Sequence, residues 1–93
     1  MSLKECRSEM EEIDDEIIRL IDKRTSISKR IFEAKRVEGM PIRDPLRESL
    51  VLSKAMDLAT ELNLDTGAIK TIFEILITMS LQKQQELQGR NQS

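Results

Sequence analysis

Arg24 stands at a position where the surrounding sequence asks for a hydrocarbon. A heptad seam runs through Leu3, Cys6, Met10, Ile13, Ile17 and Leu20 and resumes at Ile27, Ile31 and Ala34, with Arg24 between the two apolar runs. A guanidinium keeps its proton at ordinary pH and is costly to bury unpaired, so this position implies an anion to meet it. Lys35 follows on the same helical stretch. Arg47 and Glu48 lie just after the helix-start signal Asp44-Pro45, and Ser80 and Gln84 lie one helical turn apart on an otherwise apolar line. Each has a plainer reading by itself. Lys35 suits a snorkelling lysine, Arg47 and Glu48 suit surface residues with Arg47 pairing with Asp44, and Ser80 with Gln84 suits a polar pair that sets helix register. Arg7 alone is unremarkable. Together, Arg24, Lys35, Arg47, Glu48, Ser80 and Gln84 describe a cationic pocket between helices, suited to a small, oxygen-rich polyanion whose carboxylates match arginine forks.

The residues that are missing narrow the chemistry. The chain has no histidine and a single cysteine, Cys6, whose seam position reads as core filler. The common metal sites, histidine-based triads and ordinary nucleophilic or acid-base hydrolysis therefore lose their usual players, and no cofactor is expected. Catalysis by shape and charge remains, as in a pericyclic rearrangement, which needs the reactive conformer held and the developing charge met by fixed donors. A net charge of -2, no basic tract and two Phe as the only aromatics argue against a nucleic-acid partner. No apolar run reaches membrane-spanning length and no signal peptide is evident, which makes a cytoplasmic, membrane-free protein the expectation.

The elements that must position these residues are helices, and the fold class expected is all-α. Leu3 to Glu38 contains neither Gly nor Pro, so one very long helix is predicted there. Gly39 and Pro41 end it. Asp44-Pro45 starts a second helix to about Leu62, its apolar face formed by Val51, Ala55, Leu58 and Leu62 and widened by Leu52 and Ala59. Asp65 or Thr66 caps a third, which runs to about Leu87 with Ile69, Phe73, Leu76, Ile77, Ser80, Gln84 and Leu87 inward, then frays into a polar Gln-rich tail. Residues 1–93 make one domain. The first helix would be a rod of roughly 54 Å at about 1.5 Å per residue, whereas a compact chain of this length spans only about 30 Å. Its apolar stripe continues to both ends, so an obligate homodimer is expected.

The ordered set Arg24, Lys35, the segment Pro41-Ile42-Arg43-Asp44-Pro45-Leu46-Arg47-Glu48, and Ser80-Leu81-Gln82-Lys83-Gln84 resembles the all-helical chorismate mutases over nearly the whole chain, with Arg7 near the N-terminus in keeping. The resemblance implies three helices per subunit in an intertwined homodimer that rearranges chorismate to prephenate in phenylalanine and tyrosine biosynthesis. It implies that Arg24 and Arg47 of one subunit and Arg7 of the other hold the substrate carboxylates, with Ser80 assisting. By the same resemblance Lys35 and Gln84 donate to the ether oxygen, while Glu48 and the backbone amide of Asp44 hold the ring hydroxyl. Two other readings stay open: isochorismate pyruvate lyase chemistry in the same fold, and a non-enzymatic helical dimerisation module in which Arg24 only sets register.

Overall fold

The computed structural model describes residues 1–91, folded as α1 (Leu3–Glu38), α2 (Pro45–Glu61) and α3 (Thr66–Asn91). Local signals fix most of the boundaries. Ser2 caps α1, its Oγ accepting from the Glu5 amide at 3.1 Å. At the other end Gly39 takes φ 69°, and the Gly39 and Met40 amides donate to Arg36 and Lys35 carbonyls, the Schellman arrangement that a left-handed residue permits. Asp44 caps α2 by accepting from the Arg47 amide at 3.2 Å, with Pro45 in the first turn where no amide donor is required. Asn63 repeats the left-handed ending after α2, with φ 58°. Asp65, one of the two expected caps, accepts from the Ala68 amide at 3.0 Å.

The third helix is longer than the sequence pattern suggests. It continues past Leu87 to Asn91, where ion pairs from Glu86 to Lys83 (3.6 Å) and to Arg90 (2.6 Å) span its last turns. The expected frayed tail is therefore helical through Asn91, and Gln92 and Ser93 lie outside the described residues.

α3 packs on both α1 and α2. Phe32 on α1 and Ala59 on α2, 5% and 1% exposed, are the buried apolar residues among those described. On α3, Ile69, Phe73, Leu76, Ile77, Ser80 and Leu87 are half-buried and Gln84 is buried, so the inward line expected for that helix is correct. Two apolar faces are rotated from their expected positions. α1 meets α3 through Ile21, Thr25, Ser28, Phe32 and Lys35, one residue away from the Ile27-Ile31-Ala34 seam, which stays exposed in this chain. α2 turns inward Val51, Leu52, Ala55, Met56 and Ala59, leaving Leu58 and Leu62 exposed, because the tightest approach to α3 requires a small side chain. Cys6, on the N-terminal part of the same seam, is likewise exposed in this chain.

The chain measures 55 × 26 × 16 Å with a radius of gyration of 16.6 Å. About 12 Å is usual for a compact chain of this length. The excess comes from the N-terminal half of α1, where Leu3, Met10, Ile13, Ile17 and Leu20 are 49–65% exposed on the seam. Among the described residues, no helix is long and apolar enough to cross a membrane.

With so few buried side chains, Phe32 bears much of the α1–α3 contact. Phe32→Ala is expected to cost about 3–5 kcal/mol of unfolding free energy in urea at fixed protein concentration. A loss below about 1 kcal/mol would show that this contact is not the core of the fold.

Candidate active site

A pocket of about 380 Å³ opens between the C-terminal half of α1, the start of α2 and the middle of α3. Arg24 and Lys35 enter it from α1, Asp44, Arg47 and Glu48 from the start of α2, and Ser80 and Gln84 from α3. Ile27, Ile31, Val51, Ile77 and Leu81 supply apolar walls. The exposed seam residues of α1 thus line the pocket, which explains why part of that stripe is not covered by the chain's own helices. Seven of the eight candidate residues meet here. Arg7 does not: it is exposed on α1, seventeen residues before Arg24 and so roughly 25 Å along the rod at about 1.5 Å per residue.

A chain of hydrogen bonds sets the polar side of the pocket. Ser28, on the face of α1 that meets α3, is 2% exposed and Gln84 is 3% exposed. Ser28 Oγ donates to the Arg24 carbonyl at 3.1 Å and shares a hydrogen bond of 2.5 Å with Ser80 Oγ. Gln84 Nε2 reaches Ser80 Oγ at 3.4 Å, and Gln84 Oε1 accepts from Lys35 Nζ at 3.1 Å. Lys35 also donates to the Ile42 carbonyl in the loop before α2. An ammonium has three donors and an amide nitrogen two, so Lys35 and Gln84 each retain one N–H beyond these contacts.

The cations are left without counter-ions. Arg24 donates from Nη1 to the Leu76 carbonyl at 3.2 Å, which uses one of its five N–H groups. Among the described residues, Arg24, Lys35 and Arg47 form no ion pair with a carboxylate. Asp44 meets the backbone amide of Arg47, so the surface ion pair that these two residues suggested is not formed. Glu48 is the carboxylate that is engaged, and it is held by Arg43 from outside the pocket. Guanidinium, ammonium and guanidinium thus converge on one small volume beside neutral donors. Such an arrangement attracts a compact dianion and offers hydrogen bonds to its uncharged oxygens.

Sequence reasoning missed Ser28 and Arg43. Ser28 had a legible signal, since Ile21, Thr25, Ser28, Phe32 and Lys35 repeat at alternating steps of four and three, a second heptad stripe beside the more apolar one. Among the described residues no cluster of potential metal ligands occurs.

Residues 6–85 match the family described as chorismate mutase type II. The chain is 40% identical to a chorismate mutase of Methanocaldococcus jannaschii, across 96% of this chain and 94% of that protein. It is 37% identical to a bifunctional chorismate mutase/prephenate dehydratase of Buchnera aphidicola, over 87% of this chain and 21% of that longer protein. A 4-amino-4-deoxychorismate mutase of Streptomyces venezuelae is 28% identical over 82% of this chain and 74% of its own length. The chain belongs to the type II chorismate mutase family, the all-helical enzymes of this class.

Arg24 separates a ligand-binding charge from a structural one. Arg24→Ala gives up one hydrogen bond to a carbonyl but also removes an uncompensated charge, so unfolding free energy is expected to stay within about 1 kcal/mol of the parent. Binding of a bicyclic diacid mimic of the transition state, followed by calorimetry, is expected to vanish. An unfolded variant would mark Arg24 as a structural residue instead.

Proposed function

We propose that this pocket is where the chain, a chorismate mutase, rearranges chorismate to prephenate, and that Arg24, Lys35, Asp44, Arg47, Glu48, Ser80 and Gln84 carry the reaction. The observation that supports this most strongly is the convergence of unpaired Arg24, Lys35 and Arg47 with the Ser80–Gln84 pair, from three helices, on one volume of small-molecule size. The rearrangement forms a carbon–carbon bond while a carbon–oxygen ether bond breaks. No proton is transferred and no group enters or leaves. The protein therefore has to hold the folded conformer and meet the charge that develops on the ether oxygen.

Arg24 and Arg47 bind the two carboxylates, with the Ser80 hydroxyl assisting. The spare N–H groups of Lys35 and Gln84 face the ether oxygen, which is weakly negative in the ground state and gains charge as its bond to the ring stretches. Their hydrogen bond to each other holds both donors in place before substrate arrives. Glu48 and the Asp44 amide receive the ring hydroxyl. A millionfold acceleration needs about 8 kcal/mol, and one well-aimed donor typically supplies about 2.7–4 kcal/mol. Two donors together with selection of the reactive conformer reach that figure.

Arg7 and the apolar overhang of α1 fit one account. A second copy of the chain covers Leu3, Met10, Ile13, Ile17 and Leu20 in a homodimer, and Arg7 of each subunit completes the pocket of the other. The same reading puts the reaction in the cytoplasm, in phenylalanine and tyrosine biosynthesis.

The reading is tested by supplying chorismate and measuring prephenate, with isochorismate and salicylate as the comparison. Gln84 donates through an amide that does not titrate, whereas a carboxylate there must be protonated to donate, and the ordinary Glu pKa is about 4.3. Gln84→Glu is therefore expected to be active mainly in acid and to lose most of its rate by pH 8. Wild-type rates from that variant at pH 8 would remove Gln84 from the ether oxygen. For the composite site, Arg7→Ala and Lys35→Ala homodimers are each expected to be nearly inactive. A mixed dimer places both defects in one pocket and neither in the other, so each heterodimer should recover about half the wild-type activity. Absence of recovery would mean that Arg7 does not cross between subunits.

A further inference from the structure

Arg43 and Glu48 form a paired fork. Arg43 Nε donates to Glu48 Oε2 at 3.1 Å and Nη2 donates to Oε1 at 3.0 Å, so each carboxylate oxygen receives one N–H. The two residues face different surroundings. The Glu48 side chain is 20% exposed and lines the pocket, while Arg43 is 63% exposed and lies outside it. A carboxylate has about four lone-pair sites, so Glu48 keeps acceptor capacity toward the pocket after Arg43 has taken its share. The fork fixes the rotamer of Glu48 and also cancels much of its charge.

We propose that Arg43, acting through Glu48, determines which substituent the pocket accepts on the substrate ring, favouring a neutral hydroxyl over an amine; this rests on the reading of the pocket as the chorismate site. A hydroxyl needs an oriented acceptor and brings no charge of its own, so a carboxylate already bound to a guanidinium serves it well. An amine at the same carbon is an ammonium at pH 7 and needs a full counter-ion. Here it meets a carboxylate already neutralised, with the Arg43 charge just behind it. A surface ion pair contributes little to stability by itself, so the selective value of Arg43 lies in the pocket and not in the fold. Arg43 is a positioning residue: it touches Glu48 and not the substrate.

The test compares chorismate with the analogue in which an amine replaces the ring hydroxyl. The quantity read at pH 7 is KM for chorismate divided by Ki for the amine analogue as a competitive inhibitor, in wild type, Arg43→Met, Arg43→Ala and Arg43→Lys. The neutral variants are expected to raise this ratio about tenfold, the effect of removing one like charge at several ångströms near a surface. Arg43→Lys, which keeps the charge and loses the fork, is expected to stay within about threefold of wild type. Met keeps the side-chain stem, so it reports on charge if the Ala variant folds poorly. If the neutral variants weaken both molecules equally while the wild type turns over chorismate, Arg43 only supports the loop and the inference fails alone. If the wild type makes no prephenate, the reading of the pocket and this inference fall together.

Discussion

The ammonium of Lys35 donates to the Ile42 carbonyl in the loop before α2 and to Gln84 Oε1 on α3, so a single side chain on α1 ties together the parts of the chain that enclose the pocket. Its position follows from the end of α1. Gly39 turns the chain out of the helix in a left-handed conformation, which brings Ile42 back over the last turn within reach of the lysine. The same ammonium orients the amide of Gln84. Moving Lys35 would therefore disturb the loop, the start of α2 and the second donor at the same time.

The pocket concentrates cations that the other described residues do not neutralise, although the protein carries a net charge of -2. Carbonyls take the place of counter-ions: Leu76 for Arg24 and Ile42 for Lys35. A carbonyl dipole relieves desolvation without cancelling charge, so the positive potential in the pocket survives folding. The available carboxylates are directed elsewhere, Asp44 to a helix cap and Glu48 to Arg43. Repulsion among the cations opposes compaction, and the helix packing around Phe32 and Ala59 must outweigh it.

Much of this was legible in the sequence because the signals were local. Asp44-Pro45, Gly39 and Asp65 carry their structural meaning within a few residues, and the helix boundaries they imply agree with the structure. The faces of α1 and α2 were harder to read. Hydrophobicity favours Ile27, Ile31, Leu58 and Leu62, but close approach to α3 favours Ser28 and Ala59, and closeness cannot be inferred without knowing the partner helix. Arg24 and Lys35 were legible as charges near an apolar stripe. Arg43 was not, because its bond to Glu48 depends on how the loop enters α2, which residue types alone do not specify. Arg7 is exposed on α1 far from the pocket of its own chain, and no local signal in the sequence sets it apart from the other charged residues of that helix.

The contacts that build the pocket lie far apart along the chain. Arg24 and Leu76 are 52 residues apart, as are Ser28 and Ser80, and Lys35 is 49 from Gln84. α2 and α3, by contrast, are joined by a short turn and pack on each other directly. Closing a long loop costs entropy before any distant contact compensates, so contact order favours an α2–α3 hairpin that forms early and an α1 that docks late. Ser80 and Gln84 then wait on the hairpin for Ser28 and Lys35. On that order the pocket is completed only when α1 docks, and a chain in which α1 has not docked has no site.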